Sequence, residues 1–172
     1  MIADAQLQAT NDGAVVAMTN PGGIRTDLFY AQSVGEGDGK VTYGEAFAVQ
    51  PFSNSLVTMT LTGDPLKAVL EQRATANRTL QISASLTYSW TSSAPVGSKV
   101  SNVKIYGVDV DPTAGYCVTV NNYLAGGGDG FTILLAGTNQ VTGMIDVDAF
   151  IDYFIANSPL APGPQSRITL LP

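Results

Sequence analysis

At 172 residues the chain is long enough to bury a substantial core and short enough to form one cooperative unit. A hydrophobic fraction of 45 % with 18 Gly and 9 Pro excludes disordered and fibrous classes and describes a turn-rich globular protein. Eight Lys and Arg against 14 Asp and Glu give a net charge of −6, so the surface lacks the basic footprint that nucleic acid needs, although one well-placed Arg still suffices for a small phosphate ester.

Ile2 to Thr10 carries a helical pattern ended by the turn formers Asn11-Asp12-Gly13, and Ala14 to Thr19 gives a short apolar strand. Because a helix is already running at the first residues, the chain is expected to be a piece of a longer polypeptide. The loop Asn20-Pro21-Gly22-Gly23-Ile24-Arg25 combines turn formers with one positive charge, a composition that lets backbone approach a ligand. After the flexible stretch Gly35-Glu36-Gly37-Asp38-Gly39, Thr42 and Glu45 have the spacing of a capping box and predict a helix through Val49, ended by Pro51. Leu56 to Thr62 alternates as a strand, and Asp64 as cap with Pro65 at the first helical position opens a helix to about Arg73.

Thr79 to Trp90 and Lys99 to Val110, rich in β-branched and aromatic residues, read as strands joined by a hairpin-like connection. Tyr116 to Val120 adds a strand with the lone Cys117 buried in it, and Phe131 to Leu135 follows the glycine cluster as a further apolar segment read with the strands. Asp146 to Ala156 is an amphipathic helix with Val147, Phe150, Ile151 and Phe154 on one face, and Arg167 to Leu171 is a last strand. The fold class is therefore α+β, a single compact domain with a mixed β-sheet and packed helices. No apolar stretch approaches the roughly 20 residues that span a bilayer, so no membrane insertion is expected in this segment.

The absence of histidine removes Ser-His-Asp and Cys-His catalysis and the commonest zinc and two-metal ligand sets, so no catalytic residue, metal site or cofactor is assigned to this chain. Asp109, Asp111 and Gly115 fall short of a calcium loop, because Gly comes one place late and Val120 stands where a Glu is needed; a β-turn is the better reading. Ser101 and Lys104 have the spacing of a serine–lysine pair, but in a strand they point to opposite faces. The run Gly126-Gly127-Gly128-Asp129-Gly130 lacks the Lys and Ser/Thr of a P-loop, and alone it fits a tight connection or a ligand loop equally well.

Three segments carry more together than singly: Asn20-Pro21-Gly22-Gly23-Ile24-Arg25, Pro51-Phe52-Ser53-Asn54, and Asn121-Asn122-Tyr123-Leu124-Ala125-Gly126-Gly127-Gly128-Asp129-Gly130-Phe131. Their order and spacing resemble the carboxy-terminal, substrate-binding domain of the 5'-nucleotidase family, and the similarity runs through nearly the whole chain, residues 1–172. The resemblance implies a nucleoside monophosphate or related nucleotide as partner. It also implies an amino-terminal metallophosphatase domain in the same polypeptide, with two divalent metal ions that activate water there.

By the same resemblance Phe52 and Tyr123 sandwich the nucleobase, Asp129 accepts from ribose hydroxyls, Asn20 and Asn54 are amides near base or sugar, and Arg25 meets the phosphate, with Gly127 and Gly128 as close-approaching backbone. The family often has Phe where Tyr123 stands, so its hydroxyl is an extra polar group beside the base. A further family arginine would precede the first helix, outside this chain. The resemblance further implies an extracellular, periplasmic or cell-envelope location. A 2',3'-cyclic-nucleotide phosphodiesterase or a UDP-sugar hydrolase shares the same plan, and a non-catalytic surface interaction module is the reading from a different class.

Overall fold

A computed structural model describes residues 1–11 and 13–172; the turn predicted at 11–13 includes Asp12, which lies outside them. The first helical pattern folds as α1 (Ile2–Ala9), burying Ala3, Ala5 and Gln6, and leads into β1 (Val16–Thr19), buried at every position. The predicted capping box opens α2 (Tyr43–Val49): the Thr42 hydroxyl accepts from the Glu45 amide, and the Glu45 carboxylate accepts from the Thr42 amide at 2.8 Å. There follow β2 (Ser55–Thr62), α3 (Gly63–Glu71), α4 (Arg73–Ala76), β3 (Gln81–Ile82), β4 (Leu86–Thr91), β5 (Val100–Ile105), β6 (Val108–Asp109) and β7 (Gly115–Asn121). A short α5 (Asn122–Ala125), two 3-10 turns, β8 (Thr138–Ile145), α6 (Asp146–Asn157) and β9 (Ile168–Leu171) complete the chain.

The mixed sheet has the order β3-β1-β7-β2-β8, with β1 parallel and β2 antiparallel to the central β7, and a second sheet, β6-β5-β4-β9, lies beside it. Alternation decides which faces meet. Met18, Val57, Met59, Leu61, Val118 and Val120 of the first sheet share one core with Leu86, Tyr88, Trp90 and Val100 of the second and with Leu66, Val69 and Leu70 of α3. A smaller cluster of Ala5, Ala46, Val49, Val147 and Phe150 joins α1, α2 and α6. At about 25 cal/mol per Å² of apolar surface removed from water, each fully buried Leu, Met or Phe of these clusters contributes about 1.5–3 kcal/mol.

Four expected elements are corrected, the first being Lys99 to Val110, which turns at Tyr106 and Gly107 into the antiparallel pair β5 and β6. Thr79 to Trp90 is not one strand: Ser83 breaks it, with its hydroxyl accepting from the Ala17 amide and its carbonyl from the Leu86 amide, so β3 joins the first sheet and β4 the second. Phe131 to Leu135 is no strand, because Thr132–Ala136 coils as a 3-10 turn that buries Phe131 and Leu134 three residues apart and is held by the Gln72 side chain. The third helix starts at Gly63 after Thr62 rather than at a cap on Asp64, and it ends at Glu71 before the separate turn α4. Strand β8, exposed along nearly its whole length, has no counterpart among the expected elements. Ser101 and Lys104 do lie in a strand, and the Asp111 carboxylate folds back onto Thr113 as a turn.

Candidate functional site

Strand register brings the three singled-out segments to one end of the first sheet. Val16 and Ala17 of β1 stand opposite Val118 and Thr119 of the parallel β7, so Asn20 and Asn121 leave their strands side by side. Leu56 at the start of the antiparallel β2 stands opposite Asn121, so the turn that carries Phe52 and the helix that carries Tyr123 flank the same edge. The candidate residues thus emerge where β1 ends, β2 begins and β7 ends, on short loops over a rigid scaffold.

At the centre is a relay of side-chain hydrogen bonds. Asn121, 1 % exposed, caps α5 by accepting from the Leu124 amide at 2.9 Å, and it donates to Asn20 Oδ1 at 3.0 Å. Asn20, 4 % exposed, donates in turn to Asp129 Oδ2 at 2.9 Å. The Tyr123 hydroxyl donates to Asp129 Oδ1 and accepts from the Asp129 amide, both at 3.1 Å. Nε of Arg78 stands 3.5 Å from Asp129 Oδ1. Asn20 is therefore a buried support for Asp129, with its oxygen and one amide hydrogen engaged within the protein.

The glycine run is shaped by this arrangement. Gly127 and Gly130 have φ of +79° and +85°, and Asp129 between them sits at φ 54°, ψ 17°, a left-handed conformation that Asp tolerates better than most residues. Gly128 lies against the Tyr123 ring so closely that a Cβ there would stand 2.5–2.6 Å from three ring carbons. One face of Tyr123 is thus backed by bare backbone, while the side chain as a whole stays 48 % exposed.

Phe52 is 54 % exposed, and the Arg25 guanidinium lies 5.7 Å from its ring centroid, a cation–π contact. The loop of Arg25 is held by its amide, which donates to Val49 O at 2.9 Å, and by Nη1, which donates to Gly22 O at 3.2 Å. Asn54 is clasped from behind: its Nδ2 donates to Asp146 Oδ2 at 3.2 Å, and its carbonyl accepts from the Asp146 amide at 2.8 Å. Burial pushes the Asp146 carboxyl above its ordinary value, partly offset by the Asn54 amide and the neighbouring backbone N–H groups.

The half-exposed Phe52 and Tyr123 rings, the Arg25 and Arg78 guanidinium groups and the Asp129 carboxylate are the chemistry-bearing groups of these loops. Among the described residues no group of three or more His, Cys, Asp or Glu is placed to hold a metal ion, so these residues do not fit a two-metal hydrolytic site. No helix among them is long and apolar enough to cross a membrane. A cleft of about 510 Å³ lies next to the Arg25 loop, lined by Ile24, Thr26, Leu28, Val49, Phe150 and Arg167, and shares no side chain with the relay. Its guanidinium is committed to Asp4 and to the Ile82 carbonyl. Sequence reasoning misses Arg78, Asn121 and Asp146 as members of the site; only Asn121 stands within a quoted motif, and the other two are joined to the site by tertiary contacts alone.

Residues 1–136 match the family described as 5'-nucleotidase, C-terminal domain. A cell wall protein of Listeria monocytogenes, Lmo0130, is 40 % identical over 162 residues, covering 89 % of this chain and 20 % of its own length. A 5'-nucleotidase-related protein of Glossina morsitans morsitans is 34 % identical over 172 residues, covering 92 % of this chain and 30 % of its own. Among solved structures, the 5'-nucleotidase precursor of Thermus thermophilus superposes with a TM-score of 0.84 at 37 % identity, over 99 % of this chain and 34 % of that one. The chain thus spans about a fifth to a third of the length of these relatives, and over that span it belongs to the 5'-nucleotidase C-terminal domain family.

Proposed function

We propose that this chain is the nucleotide-recognition domain of a 5'-nucleotidase-type phosphoric ester hydrolase. In this reading Phe52 and Tyr123 hold the nucleobase between their rings, Asp129 accepts from the ribose, Arg25 meets the phosphate, and Gly127 and Gly128 let the backbone approach. The observation that carries it is the convergence of three loops on one sheet end, where the half-exposed Tyr123 lies on a carboxylate fixed by three side chains and the half-exposed Phe52 lies against the Arg25 guanidinium. Exposed rings beside oriented polar groups are suited to a planar heterocycle bearing a sugar. Asn54, with its Nδ2 engaged by Asp146, has its Oδ1 left to accept from a base or sugar donor.

Hydrolysis would belong to an amino-terminal metallophosphatase domain of the same polypeptide, which supplies two divalent metal ions. A location outside the cytoplasm is supported by the cell wall protein of Listeria monocytogenes. Calorimetry with AMP tests the reading: millimolar or tighter binding that weakens in Phe52→Ala supports it, and no heat at millimolar ligand refutes it. On the parent polypeptide, turnover of AMP against 2',3'-cyclic AMP and a UDP-sugar separates the 5'-nucleotidase from the phosphodiesterase and the UDP-sugar hydrolase.

A further inference from the structure

A hydroxyl on Tyr123 is expected to change what the ring can say to a base, but the geometry sends it elsewhere. The phenol donates to Asp129 Oδ1 and accepts from the Asp129 amide, so it is engaged both as donor and as acceptor inside its own loop. It closes a clasp onto the left-handed Asp129, six positions along the chain, at φ 54° and ψ 17°. The ring cannot settle closer to the loop, because the Gly128 backbone already lies against it.

The carboxylate can then be counted out by its lone pairs, of which each oxygen offers about two. Oδ1 has the Tyr123 hydroxyl and Arg78 Nε, at 3.1 and 3.5 Å. Oδ2 has Asn20 Nδ2 at 2.9 Å and one acceptor direction left. The side chain is 13 % exposed, so that remaining direction is a narrow opening rather than a free surface carboxylate.

We propose that Tyr123 is a positioning residue for sugar recognition: its hydroxyl fixes Asp129 so that the one unfilled acceptor site of Oδ2 takes a hydroxyl of the nucleoside's ribose. This rests on the reading of the site as a nucleoside slot. A phenylalanine at 123 keeps the stacking face but leaves the Asp129 amide without the phenol and Oδ1 with the longer Arg78 contact alone, so the carboxylate loses one of its three side-chain anchors and its orientation is fixed less tightly. Sugar selectivity therefore depends on a phenol hydroxyl six residues away from the group that touches the sugar.

The test is calorimetry on the 172-residue chain and its Tyr123→Phe variant with two probes, adenosine and 2',3'-dideoxyadenosine. Wild type is expected to prefer adenosine. Tyr123→Phe is expected to lose about tenfold more affinity for adenosine than for the dideoxy compound, so that the preference collapses. A purely structural loosening would weaken both ligands alike and leave their ratio intact. An unchanged ratio in Tyr123→Phe overturns the inference while leaving the base slot standing, as does a wild-type chain that binds both probes equally. A wild-type chain that binds neither removes the nucleoside reading and the inference together.

Discussion

Gly128→Ala is the substitution whose effect the geometry fixes best. Its new Cβ would stand 2.5–2.6 Å from three carbons of the Tyr123 ring. Carbon atoms in contact prefer about 3.5–4.0 Å, so the ring must retreat by about 1 Å. It has room to do so, since it is half-exposed, but its hydroxyl is bonded to Asp129 at 3.1 Å and the retreat breaks that clasp. Overpacking of this kind costs about 1–3 kcal/mol of stability, with the lower end expected at a site open to solvent. Loss of one stacking platform weakens nucleoside binding by about 1–3 kcal/mol, roughly 5- to 150-fold. Gly126→Ala is the matched control, because a Cβ there would meet the Asn122 and Tyr123 carbonyl oxygens at an ordinary 3.5 and 3.6 Å. The assay is calorimetric affinity for adenosine, paired with thermal denaturation of both variants. Unchanged affinity in Gly128→Ala, or an equal loss in Gly126→Ala, would refute the packing argument.

Three other outcomes are expected. Gly63→Ala would drive its Cβ against the Asp111 carbonyl and within 2.7 Å of Val110 Cγ1, which should lower the melting temperature by several degrees without changing nucleoside affinity relative to the folded fraction. Glu71, 7 % exposed, accepts from the Gly97 and Val100 amides at 3.2 and 2.6 Å, so Glu71→Ala leaves both donors unpaired and should cost about 1–3 kcal/mol in denaturant titration. Burial opposes ionisation of Asp4, but Arg167, the terminal ammonium and the Ala84 amide outweigh it and hold its carboxyl below the ordinary 3.8. A depressed folded-state value means stability that is complete above 3.8 and lost as pH falls below it, so Asp4→Asn should be less stable at neutral pH and should show a flatter acid limb below 3.8. An unaltered acid limb would remove Asp4 from that balance.

What could be read from sequence was what the chain decides locally or through alternation. The box between Thr42 and Glu45 spans one helical turn and formed as predicted, and the alternation over Leu56 to Thr62 marked the strand that forms as β2. β8 was invisible because the residues of Thr138–Ile145 are exposed at nearly every position and the strand is held by backbone pairing to β2, with two irregularities in register. Phe131 and Leu134 looked like part of a strand, although their spacing of three is that of a 3-10 turn. At the site, the loops were legible through their motifs, but the relay was not: Asn20 meets Asn121 and Asp129 across 101 and 109 residues, and no local pattern signals that its amide faces inward. Arg78 follows the left-handed Asn77 and reaches Asp129 only in the folded chain.

Ring-proton NMR during an AMP titration tests whether Phe52 and Tyr123 receive a base between them. The aromatic signals of these two residues are expected to move upfield together and saturate with one dissociation constant, while the exposed rings of Tyr43 and Tyr106 stay in place. Signals of Phe52 and Tyr123 that remain fixed at millimolar AMP, or movement confined to Phe150 beside the other cleft, would contradict it.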